Sequence, residues 1–302
     1  ASCSAASLRL GEPLAGTAPL AARWLAIEQP GPWGARALTE SHFPPELGRA
    51  LTHKADAAGV RIALIRRPGH HAEHDPRAPR RVFLADTRPG RGALWSWSTS
   101  DPATLLDLDF DVPGKPLHDG GPLLLICTNG KRDTCCAISG RALAGWLAQD
   151  EATDTGAIWE ADHLGGHRFA PTAVVLPTGY VYGRLDGPAA RAILRDAAAG
   201  RVGGPLCRGR STWSRPGQAA DLALRDELQE YGPDKVAVLS ELRLSPVPDG
   251  PSRRYEVLLA VGGDRFRAVL AESAAAEARP ESCGKAFGNP LELRLVTLEK
   301  ES

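Results

Sequence analysis

The sequence predicts an α/β protein: two related α/β units in tandem, followed by a small antiparallel β extension. Three observations carry this. Strand-length apolar runs alternate with helical periodicity between residues 24 and 65, and the pattern recurs between 123 and 199. Each unit then continues into a hairpin. From Val236 onward the apolar period changes to two.

Residues 1–19 read as a loose N-terminus, and 20–115 as the first unit. Trp24–Ile27 and Val60–Ile65 are apolar runs of strand type. Between them Leu47, Ala50, Leu51 and Ala55 recur at helical spacing, with Pro44 and Pro45 at the start and Gly59 after the end. Val82–Ala85 and Ala93–Trp97 read as a hairpin around Arg88–Arg91, and the polar stretch 113–121 as a linker. The second unit spans 120–205. It runs from strand Leu123–Cys127 through a helix carrying Leu143, Trp146 and Leu147 to a strand around Ile158. A hairpin (173–176 and 180–182) and a helix (189–199) ending at Gly200 complete it. Residues 201–217 read as a second linker, with Arg208 and Arg210 solvated in it. The extension, 218–302, begins with a helix stopped by Gly232-Pro233. Tyr255–Val261 and Phe266–Leu270 then alternate around Gly262-Gly263-Asp264, and Leu291–Leu298 reads as a last strand.

Composition excludes several classes of function. Lys+Arg and Asp+Glu both number 36, so no basic field points to nucleic acid. The longest apolar runs fall far short of the roughly 20 residues of a membrane span. The first residues lack a basic start followed by an apolar stretch, so no secretory signal is expected. Six cysteines in 302 residues do not make a disulfide scaffold. The expectation is a cytoplasmic protein with reduced thiols and neither a nucleic-acid nor a membrane partner.

The chemistry concentrates in the second unit. CTNGKRDTCCAISG (127–140) lies between a buried strand and a helix, where α/β folds place reactive groups and a helix N-terminus favours anions. Downstream, His163-Leu-Gly-Gly-His167 carries two imidazoles across two glycines that disfavour a helix, so the pair sits on a loop. Two thiolates and two imidazoles suit zinc or an iron–sulfur cluster. Zinc knuckles separate their cysteines by two to four residues, whereas eight lie between Cys127 and Cys136, which favours a [2Fe–2S] cluster. Imidazole in place of thiolate on one iron raises the reduction potential, and histidine ligands can couple electron to proton transfer.

CTNGKRDTCC and WEADHLGGHRFAPTAVVLPTGYVYGRL resemble the sucrase/ferredoxin-like family, of an actinobacterial cast. WLAIEQPGPWG, RIALIRRPG and RGRS near residue 210 extend the resemblance over most of residues 20–220. It implies thioredoxin-like units, the second binding a [2Fe–2S] cluster as a ferredoxin domain and the first without one. It places the ligands on Cys127, Cys136, His163 and His167. Many members have His where Asn129 stands, and relatives often carry a non-cysteine residue where Cys135 stands, which favours Cys136 over Cys135 as the ligand. Asp133, Arg132 and Arg168 are candidates to tune the site. The implied function is electron transfer between a reductase and an acceptor, both unidentified, with proton coupling and without a catalytic residue of its own. The alternatives are a structural Cys2His2 zinc protein and a thiol oxidoreductase using Cys135 and Cys136, although Cys-x-x-Cys is absent.

Other features have ordinary readings. His42, His53 and His118 are single surface or core residues, and His70, His71 and His74 belong to a charged Pro-rich loop. The stripe Leu143, Trp146, Leu147 is core, and Cys207 and Cys283 are small buried residues. No acid pair stands out for the glycoside hydrolysis that the family's name suggests.

Overall fold

Strand β5 (Leu123–Cys127) is apolar at every position and buried at every position, which is what a strand covered on both faces requires. It lies inside a nine-stranded mixed sheet with the order β4-β3-β1-β2-β6-β5-β7-β8-β9. The other members are β1 (Arg23–Glu28), β2 (Val60–Arg66), β3 (Arg80–Asp86), β4 (Ala93–Thr99), β6 (Ile158–Ala161), β7 (Ala173–Leu176), β8 (Tyr180–Tyr182) and β9 (Cys207–Arg210). The computed structural model describes residues 2–70, 75, 77–245 and 253–301. His71 and His74 of the expected Pro-rich loop lie outside the described residues.

The tandem pattern is visible in the strand pairing. In the first unit β1 pairs with β2 in parallel and with β3 antiparallel, and β4 flanks β3. In the second, β5 pairs with β6 in parallel and with β7 antiparallel, and β8 flanks β7. The halves join where β2 meets β6 antiparallel, at Ile65 opposite Ala161. A buried ion pair braces this seam: Arg66 Nε lies 2.9 Å from Glu160 Oε2, and Thr128 Oγ1 donates to the same oxygen.

Alternation along the strands sends successive side chains to opposite faces. On one face Trp24, Ala26, Ile65, Leu125, Cys127, Trp159 and Val174 form a single core across both halves. The other face is covered by helices. α2 (Ala37–Glu40) is short, and α3 (Pro45–Ala57) packs Leu51 and Ala55 on Leu25, Ile27 and Leu64, whereas α1 (Cys3–Arg9) sets Cys3 into the core of the first face. α4 (Arg141–Gln149) and α5 (Gly187–Ala198) pack Leu143, Leu147, Ala190 and Leu194 on Leu124, Ile126 and Val175. α3 begins at Pro45, where a missing N–H costs nothing, and Gly59 follows with a positive φ.

After α6 (Arg215–Leu228) come β10 (Val236–Leu244), β11 (Arg253–Val261), β12 (Asp264–Ala274), the short β13 (Arg279–Pro280) and β14 (Phe287–Gly288), and β15 (Leu291–Lys300). β10-β11-β12-β15 form a separate antiparallel sheet, packed on α6 through Val257, Leu259, Ala268, Leu270 and Leu293. Among the described residues no helix is long and apolar enough to cross a membrane.

Four expectations are corrected. The N-terminal stretch contains α1 and buries Cys3, because that helix is seated on the second unit. The stretch read as a linker contains strand β9, which pairs with β8. Arg208 and Arg210 are 1% exposed, because carbonyl groups distant in sequence take up their N–H donors. Trp146 is 41% exposed while Leu143 and Leu147 are buried, so the stripe is core only in part.

Candidate metal centre

The site begins with a register. Cys127 ends β5 and lies opposite Ala161 at the end of its parallel neighbour β6, so the loops that follow leave the sheet side by side. This is the carboxyl edge where α/β sheets bind ligands. One loop carries Cys136, the other His163 and His167.

The first loop re-enters helical backbone at Thr134, passes through a π-helical turn at Cys136–Gly140 and continues as α4. Such turns recur at functional sites. Gly140 is required here by close approach: a Cβ would stand 2.1 Å from the Cys127 carbonyl oxygen. Adjacent helical residues diverge by about 100°. Cys136 accordingly faces Cys127 and His167, with its Sγ 3.4 Å from His167 Nδ1, while Cys135 faces Cys3 and Cys283.

The second loop turns through Gly165 and Gly166, both at positive φ, and this reversal stacks the two imidazoles with ring centres 4.8 Å apart. Buried Arg208 holds the turn by donating to the Gly165 carbonyl at 3.0 Å and to Thr17. Its guanidinium fills the space a Cβ on Gly166 would need, 2.2 Å from Nη2. Arg61 donates to the His163 carbonyl, and the Asp162 carboxylate accepts the Leu64 N–H, tying the loop to β2.

The four candidate ligands therefore stand together, Cys136 beside His167 and Cys127 beside both Cys136 and His163. The neighbouring Cys136 thiol, against the effect of burial and with help from His163, holds the Cys127 thiol well below the usual range, and Cys136 itself is pushed up. His163 Nδ1 is buried without a hydrogen-bond partner, while Arg132 Nη2 lies 3.4 Å from its Nε2 at the surface. Burial first, then His163, pulls the pKa of His167 down, which favours the neutral ring a metal needs. Near His167 a depression of about 340 Å³ is lined by Lys131, Arg132, Arg168, Lys285 and one acid, Glu281. Of the three candidate tuning residues, Arg132 touches His163, Arg168 pairs with Glu12 at 2.6 Å, and Asp133 accepts the Cys135 N–H at 2.8 Å. Asn129 bonds the Gly34 carbonyl, joining the loop to the first unit.

Among the described residues, the set of three or more His, Cys, Asp or Glu ligand atoms within 4.8 Å of one another is a different one: Cys3, Asp133, Cys135 and Cys283. Sequence reasoning missed Cys3 and read Cys283 as simply buried, and it is half-buried in this cluster. Cys3 and Cys283 each stand alone in sequence, far from Asp133 and Cys135, so no local spacing could have announced the group. Arg208 and Glu12 were missed for the same reason: their partners are remote.

No curated protein and no solved structure matches the chain. The model of the sucrase/ferredoxin-like family matches residues 14–209, a span that contains both site loops and most of the large sheet, and the chain belongs to that family.

Proposed function

We propose that the protein is an electron carrier that binds a [2Fe–2S] cluster through Cys127, Cys136, His163 and His167, within thioredoxin-like units whose repeated strand pairing supports that description. One observation carries the reading: two cysteines and two histidines from adjacent loops meet at a strand edge, and one imidazole there presents a buried, unpartnered Nδ1. An orphaned buried nitrogen costs about 1–3 kcal/mol, which ligation would remove. The donor set suits iron with mixed thiolate and imidazole ligands. A single zinc ion, with bonds of about 2.0–2.3 Å, needs all four donors within about 4 Å of one another. Iron and acid-labile sulfide determination separates a cluster from a single zinc ion. The divergence of Cys135 from Cys136 argues against that pair acting together as a redox dithiol.

A cluster held here would accept and pass single electrons. The chain's residues supply the rest. Burial of both cysteines keeps water from the sulfur side. The histidines stand nearer the surface, with Arg132 beside the outer edge of His163, and imidazole ligands there support proton-coupled transfer. Lys131, Arg132 and Lys285 around the depression favour a reductase or acceptor with an acidic docking face. Iron, acid-labile sulfide and the visible spectrum of protein purified without oxygen test the reading. About two irons and two sulfides per chain are expected, and a colourless protein with neither would reject it.

A further inference from the structure

Behind Cys136, on the side of the loop away from the histidines, three sulfurs form a nearly equilateral triangle. Cys3 Sγ to Cys135 Sγ is 3.5 Å, Cys135 to Cys283 is 3.3 Å and Cys283 to Cys3 is 3.6 Å. Cys3 opens α1, Cys135 lies in the site loop, and Cys283 follows β13, so three segments distant in sequence supply one thiol each. Asp133 stands over the triangle, with both carboxylate oxygens 3.7 Å from Cys3 Sγ. Its Oδ2 accepts from Ser282 Oγ and the Cys283 N–H, both at 2.7 Å, and Oδ1 accepts the Cys135 N–H at 2.8 Å and the Cys3 thiol. Loss of the Cys3 proton to a metal would free that direction on Oδ1 for the same ion.

We propose that Cys3, Cys135, Cys283 and Asp133 form a zinc site, separate from the Cys2His2 quartet, that fastens α1 and the segment after β13 to the loop carrying Cys136. Around tetrahedral zinc, bonds of about 2.3 Å to sulfur and 2.0 Å to oxygen put sulfurs about 3.8 Å apart and sulfur and oxygen about 3.5 Å apart. The observed separations lie within a few tenths of an ångström of both. A disulfide needs about 2.05 Å, no pair in the triangle is singled out for one, and three thiols cannot all pair. An iron–sulfur cluster would spread three thiolates over several irons, whereas sulfurs this close converge on one ion. Thiolates exclude calcium and magnesium, and the carboxylate makes up the fourfold set that zinc prefers.

The test is metal analysis of the whole chain, with iron and zinc measured on the same samples, for the wild type and for Cys283→Ser and Cys3→Ser. About one zinc per chain in the wild type, falling at least tenfold in both variants while iron is unchanged, is the expected result. The proposal does not depend on the quartet: absent iron with this zinc pattern would reject the cluster and keep the zinc site. Should the variants fail to fold, Co²⁺ added to wild-type protein stripped of zinc but retaining its iron gives a second readout. Tetrahedral cobalt–thiolate bands at one equivalent support the site. Zinc that persists in both variants, a different metal in its place, or wild-type protein that takes up neither Zn²⁺ nor Co²⁺ would overturn it.

Discussion

Cys135 and Cys136 are neighbours in sequence and leave the same first turn of a helix towards different partners. Cys136 meets Cys127 and His167, and Cys135 meets Cys3 and Cys283. Cys136→Ser should therefore reduce bound iron to under a tenth of wild type, and Cys135→Ser should leave iron in place; paired iron determinations check this. The quartet was legible because its members come in two compact motifs whose residue types announce metal chemistry. Cys3, Cys283, Glu12 and Arg208 were not, since each is an isolated residue given its role by groups from other parts of the chain. Arg208 is the clearest case: RGR reads as a solvated linker, yet its middle residue, Gly209, leaves room at φ +132° for Gln218 to pack, and the flanking arginines are buried.

Elements with strong local signals emerged where the sequence put them. Strand Leu123–Cys127 and the hairpin at 173–182 match to the residue, because continuous apolar runs and a Pro-Thr-Gly turn leave few alternatives. β9 was missed because its four residues include a glycine and two arginines, and α1 because seven residues hold too few apolar positions to show a period. Both missed elements matter to the site, and Glu12 shows how α1 is secured. Its buried carboxylate lies 2.6 Å from Arg168, which follows His167, and 2.6 Å from Arg279 in β13. Burial raises the pKa of Glu12, but hydrogen bonds from Arg279 and Arg168 outweigh that and hold it below the usual carboxylate range. The contribution is thus present above a pH of about 4.3, where the unfolded residue is also ionised, and is lost as pH falls through the lower folded value. Glu12→Gln should cost about 3 kcal/mol at neutral pH and flatten the acid limb of the stability curve. Denaturant midpoints between about pH 3 and 7 measure both effects.

At the scale of the molecule, the α/β class and the separate antiparallel sheet were legible, but the joining of nine strands into one mixed sheet was not. Periodicity along a strand says which faces are buried and nothing about which strand lies beside it, so the β2–β6 seam with its buried Arg66–Glu160 pair had no local signature. The single large sheet sets the site loops at its interior and leaves a basic rim around His167. If an acidic partner docks there, its second-order rate of electron delivery should fall several-fold between about 20 and 300 mM salt, as screening over a Debye length of about 6–20 Å requires. Charge reversal at Lys131 and Lys285 should remove most of that dependence, read by stopped-flow absorbance.

The central claim is that both histidines bind the same reduced cluster, and nitrogen hyperfine coupling in the paramagnetic resonance spectrum of the reduced protein tests it most directly. The account predicts two inequivalent strongly coupled nitrogens, one lost in His163→Cys and the other in His167→Cys, with two irons retained in each. A reduced cluster without strongly coupled nitrogen, or one whose couplings survive both substitutions, would contradict it.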